Sequence, residues 1–230
     1  MVKGKGGEMK KCILVLFVAF LITIPGMAKA QDCQCFQLSV LNPMQIVPEE
    51  DSVCGLRLGA LYTPNQDVSG LSLTWIGVDS VRGDMKGIEI APVNWVHGLT
   101  YGVQIGVINR TGERFVGVQY GSVNMVKGDF TGLQWGFINW NEGFMHGIQC
   151  GMVNISGMDS SGMELALVNY NTGSFRGFQC GGINYAEEMH GFQLGVVNWT
   201  GSLDGLQIGL ANYNGNKDPM ELMTFANWSF

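Results

Sequence analysis

The chain has 230 residues, 46% of them hydrophobic and 34 of them glycine, and its 13 Lys and Arg face 19 Asp and Glu for a formal net charge of −6. That acidity leaves no electrostatic footprint for nucleic acid or an anionic lipid surface. Glycine recurs too often for long helices to survive.

The first predicted element is a secretory signal peptide over residues 1–30. Lys3, Lys5, Lys10 and Lys11 precede the apolar run "CILVLFVAFLITI", and "AKA" at 28–30 supplies small residues for cleavage before Gln31. The run is short for a transmembrane helix of about 20 residues. Cleavage would leave 8 basic residues against 18 acidic ones, a net charge of −10.

Residues 31–54 read as an N-terminal capping coil. "CFQLSVLN" (35–42) is a first copy of the repeat described below, and "PMQIVPEEDS" (43–52) interrupts it with proline and charge. Cys33, Cys35 and Cys54 cluster here, as suits a disulfide in an oxidising compartment. The predicted bridge is Cys35–Cys54, from one corner of adjacent coils.

Residues 55–214 are tandem repeats. The unit reads Gly, apolar, Gln, apolar, Gly, variable, Ile or Val, Asn, then usually an aromatic. Clear copies start at Gly102, Gly117, Gly132, Gly147, Gly162, Gly177, Gly191 and Gly205, and degenerate ones at Gly55, Gly70 and Gly87. The spacing is fifteen, shortening to fourteen in the last two intervals. Alternating apolar residues, β-branched side chains and Gly/Asn/Asp punctuation predict strands throughout. Residues 215–230 read as a C-terminal capping segment: "GNKDP" breaks the repeat, and "TFANW" (224–228) keeps the Asn and Trp of a last copy.

Two all-β architectures can use such a unit. The favoured one is a β-solenoid of about 12 coils of about 15 residues, with identical residues stacked. The alternative is an up-and-down outer-membrane β-barrel, a pore or anchor, in which successive strands run antiparallel. Variation at position six, through Ser122, Phe137, Met152, Leu167 and Gly182, suits an exposed solenoid corner. On that reading positions two and four of each five-residue side, such as Leu133, Trp135, Ile138 and Trp140, point inward. Cys150 and Cys180, which share a position with Trp135, then become small buried hydrophobes.

The amides are the predicted structural ladders. One column holds Gln104, Gln119, Gln134, Gln149, Gln179, Gln193 and Gln207, with Glu89 and Glu164 as departures. A second holds Asn109, Asn124, Asn139, Asn154, Asn169, Asn184, Asn198 and Asn212, with Asn94 before them. Stacked about 4.8 Å apart, identical amides hydrogen-bond along the stack. The Asn column could instead cap corners through its own backbone.

The units "GVQIGVIN", "GLQWGFIN" and "GLQIGLAN" resemble those of a bacterial family of exported surface-repeat proteins. Its members carry tandem Gly-Leu-Gln-Ile-Gly-Leu-Val-Asn units after a signal peptide and often end in an Asn-aromatic-Ser-Phe tail, here "NWSF" (227–230). The resemblance runs from about residue 35 to the end. It implies export and a cell-envelope or surface location, and it lends no activity and no catalytic residues.

No constellation for chemistry converges. His97, His146 and His190 occupy different places in their units, and Glu89 and Glu164 lie five coils apart, about 24 Å along a stack and too far for paired carboxylates. The acidic turns lack the spaced ligands of a calcium loop. The sequence therefore predicts no catalytic, cofactor-binding or metal residues. It predicts a non-enzymatic scaffold or adhesin-like surface whose Gln/Asn stripe meets a protein or glycan, with no nucleic-acid partner. Membrane association belongs to the barrel alternative.

Overall fold

The computed structural model describes residues 33–230, so the predicted signal segment lies outside the described residues. The described chain is all β, without a helix.

Register decides the architecture. Phe115–Tyr120 pairs parallel with Thr100–Ile105 on one side and Phe130–Trp135 on the other, placing Gln119 between Gln104 and Gln134. Val123–Val126 pairs parallel with Ile108–Thr111 and Ile138–Asn141 in the same way. Each unit is therefore one coil of a β-solenoid, lying on its predecessor in identical register. Consecutive strands of an up-and-down barrel are antiparallel, which the observed pairing excludes.

Two features of the unit make this coil. A long strand contains the first Gly and the Gln, and a short one contains the Asn. Between them the chain bends at the second Gly and position six. Eleven glycines from Gly55 to Gly205 form one column, all with φ between 125 and 155°. At Gly132 (φ +137°) an added Cβ would overlap the Gly117 carbonyl oxygen, so the backbones approach as closely as they do because no side chain intervenes.

The stack makes about 9 turns where about 12 coils were expected, and its last unit turns back. Leu222–Ser229 pairs antiparallel with the final coil, with Asn227 opposite Gln207. Reversal ends the parallel register, so a further coil of the same kind has no matching strand to stack on. At the other end Met44–Gln45 folds antiparallel onto Cys33–Leu41. There Gln37 both donates to and accepts from the Val47 backbone.

Two expectations are corrected. Cys35 is a free, exposed thiol, whereas Cys33 and Cys54 are each disulfide-bonded. Gly55 stacks directly on the Cys35 backbone, which sets Cys54 one residue out of line with Cys35. The second correction concerns which face is inside. Gln134 and Asn139 are fully buried, while Trp135, Ile138 and Trp140 are exposed. Cys150 and Cys180 share the outward column and are only half-buried. Hydrophobicity alone set the expected phase. The observed phase follows from the amides, whose hydrogen bonds to identical neighbours form in a dry stack without competition from water.

The apolar part of the interior comes from two other columns. Phe115, Phe130, Met145, Phe175, Met189 and Leu203 lie two residues before the column glycine and pack with Val126 and Ala186. The Phe115 and Phe130 rings stack at 5.7 Å. A second cluster, Val68, Val81, Met85 and Val96, fills the earlier coils.

Candidate functional site

The amide columns run with opposite polarity. In the Gln column each side chain donates to the coil before it: Gln119 Nε2 to Gln104 Oε1 at 2.7 Å, Gln134 to Gln119 at 2.7 Å and Gln149 to Gln134 at 2.8 Å. In the Asn column each donates to the coil after it: Asn109 Nδ2 to Asn124 Oδ1 at 2.8 Å, Asn124 to Asn139 at 2.8 Å and Asn139 to Asn154 at 2.9 Å. The Asn column continues to the C-terminal coils through Asn169, Asn184, Asn198 and Asn212, while the Gln column breaks between Gln149 and Glu164 and resumes through Gln179, Gln193 and Gln207. Asn139 Nδ2 also donates to the Cys150 carbonyl at 3.0 Å, tying the ladder to the bend between the strands.

Because both columns are completely buried, the amide stripe expected to meet a ligand is not on the surface. Its work is internal. Replacing Asn139 by Leu would leave Asn154 Oδ1 without its donor and take one of two donors from the Cys150 carbonyl, which keeps the Gly136 N–H; an unsatisfied buried group costs about 1–3 kcal/mol. We expect Asn139→Leu to lose about 3 kcal/mol in urea unfolding. Trp140→Ser, at the adjacent outward position, should lose under about 1 kcal/mol.

The two Glu departures occupy the same dry column, five coils apart, and each finds a different solution. Glu89 accepts from Gln104 Nε2 at 2.8 Å and lies 3.9 Å from the Arg57 guanidinium. Arg57 in turn pairs with Asp79, and its Nε donates to Ser72 Oγ at 2.8 Å. All four of these side chains, Arg57, Ser72, Asp79 and Glu89, are fully buried. Burial lowers the Arg57 pKa to about 10 against the pull of Glu89, and raises that of Glu89 to about 7 against the pull of Arg57. Glu164 has no cation paired with it among the described residues. It accepts from Gln179 Nε2 at 2.8 Å and from Ser156 Oγ at 3.0 Å, and burial pushes its carboxyl up to about 7.

Sequence reasoning missed the Arg57–Asp79 pair. The signal lay in the degenerate copies: Arg57 stands at the Gln position of "GLRLGALY", and Asp79 aligns with Asn94. Such a cluster resembles an acid/base site in composition, but it is sealed from solvent and reaches no cleft.

The histidines stand apart. His97 stacks on Trp95, His146 Nδ1 lies 2.6 Å from Ser161 Oγ, and His190 faces Asp204 at 3.2 Å. Among the described residues no group of three His, Cys, Asp or Glu is arranged to hold a metal ion.

What the surface offers is apolar. One shallow groove of about 600 Å³ runs across successive coils, floored by Gly106, Gly121, Gly136 and Gly151. Tyr120, Trp135 and Leu165 form one wall, Val107, Phe137 and Met152 the other. The floor must be glycine, since a Cβ at Gly136 would overlap the Gly121 carbonyl oxygen and crowd Asn124 Nδ2.

No protein-family model matches the chain, and no curated protein or solved structure is significantly similar to it.

Proposed function

We propose that the protein is a non-enzymatic, exported repeat protein of the cell envelope or cell surface that acts as a scaffold or interaction surface. The observation that carries this reading is the division of chemistry in each coil. The amides and the carboxylates of the ladder are buried and bonded to one another, which leaves apolar and aromatic side chains to meet a partner. Catalysis needs acids, bases or nucleophiles converging on a cleft. Here the strongly shifted carboxyls lie in the sealed interior.

The signal-like segment at residues 1–30 supports export, as does disulfide bonding at Cys33 and Cys54. The resemblance of the units to exported bacterial surface repeats agrees with both. Fractionation with N-terminal sequencing tests the reading. The expected result is a chain that begins at Gln31 and is recovered with the envelope. An intact N-terminus in the cytosol would overturn it.

A further inference from the structure

The outer face of the solenoid has a composition that water-exposed sheets avoid. Beyond the column glycine, five positions per unit point outward from the two strands and the bend between them, two, four, six, seven and nine; the residue just before that glycine also faces outward and forms a more polar border, with Thr131, His146, Arg176 and Asp204. In the eight units from Gly102 to Gly205 these five make 40 positions, one of them Gly182; none is buried, and only one is charged, Arg110. Trp135 and Phe137 remain 58% and 61% exposed. Most other charges gather on the remaining corner, at residues such as Glu113, Lys127, Asp129, Glu142 and Asp159, and Arg176 and Asp204 stand on the strand column that borders it. A contiguous apolar surface of this extent marks an interaction site.

We propose that this face lies in the hydrocarbon of a lipid leaflet, with the charged corner turned to water. The inference rests on the interaction-surface reading above and names its partner. Three observations select acyl chains. First, the apolar positions cover both strands and the bend between them. A flat partner, including a second copy, covers one side of such a bend, whereas fluid acyl chains cover both.

Second, the strands of this face are paired on both sides by neighbouring coils, so their backbone groups are satisfied without water. Contact with hydrocarbon demands this. Third, the groove carries no charge, and its polar side-chain groups are only the Tyr120 and Ser122 hydroxyls, the Trp135 indole N–H and the Cys150 thiol, few to replace the water that a glycan or peptide would lose. The arrangement is that of an amphipathic element lying in the interface plane, with a sheet in place of a helix. Its lone charge, Arg110, is placed over the Trp95 ring at 4.5 Å.

The test mixes the full chain with uncharged phosphatidylcholine vesicles whose acyl chains are brominated, and reads tryptophan emission. All six Trp lie in the described residues and none in residues 1–30, so binding through the N-terminal apolar run alone gives no quenching. Quenching of more than about half the emission is expected, and Phe137→Lys with Leu167→Lys should weaken it about tenfold or more. Both replaced side chains are 61% exposed, so circular dichroism and the urea midpoint should stay at wild-type values.

Unquenched wild-type emission would overturn the inference, as would equal quenching in the double variant. Concentration-dependent self-association that shields the Trp residues without lipid would assign the face to a second copy instead. A processed envelope protein with unquenched Trp would sink the lipid inference alone and leave the proposed function standing.

Discussion

Gly132→Ala should cost about 4 kcal/mol, among the largest losses a single added methyl can produce. The residue combines φ +137° with a backbone contact that leaves no room for Cβ. Its neighbours cannot retreat, because Gly117 and Gly147 hold the same relation to the coils beyond them. Gly182→Ala is the control. It stands at the variable sixth position, where other units carry Val107, Phe137, Met152 or Leu167, and it should change stability by under about 1 kcal/mol. Urea unfolding followed by circular dichroism reads both. Since each coil contacts mainly its neighbours, limited proteolysis of Gly132→Ala should open the chain first between about residues 117 and 150. Equal midpoints for the two variants would mean that the glycine column does not hold the coils together.

Glu164→Gln should stabilise the protein above pH 7 and remove part of its pH dependence. The carboxyl titrates at 4.5 when unperturbed and at about 7 when folded. The folded state therefore binds the proton more tightly, and stability falls as pH rises from 4.5 to about 7, then levels off. The loss amounts to about 3 kcal/mol, from 1.36 kcal/mol per unit. Gln is the residue the column uses elsewhere, and its Nε2 can donate to Gln149 Oε1, whose only donor among the described residues is Ser156 Oγ at 3.4 Å.

Urea midpoints at pH 5 and pH 8 check this. Glu164→Gln should match wild type near pH 4.5 and exceed it by about 3 kcal/mol at pH 8. Glu89 keeps a similar titration of its own, so part of the slope persists in the variant. A variant less stable than wild type at pH 8 would show that the ionised carboxylate is tolerated in the column.

The all-β character and the parallel stack of coils were legible because recurrence at fifteen fixes register: identical neighbours at Gln119 and Gln134 only help each other when aligned. The facing of the side chains was not legible. A rule that buries apolar residues places Trp135 inside, and the sequence holds nothing that states the cost of leaving Asn139 to water. Only the stack shows that an amide there finds two partners. The disulfide was read one turn of the alternation away, since Cys33 and Cys35 point to the same face and only the position of Gly55 separates them. The ionic cluster was hidden in the degenerate copies, where Arg57 replaces a Gln and the longer spacing from Gly70 to Gly87 shifts Asp79 out of step with the Asn column.

Spin-label distances along the sixth-position column test the central arrangement most directly. Labels at Ser122 with Leu167, Val196 or Leu210 are three, five and six coils apart. At about 4.8 Å per coil the account predicts separations of about 14, 24 and 29 Å between backbones, rising in a straight line. Distances that rise and then fall, as they would around a closed cylinder of antiparallel strands, would contradict it.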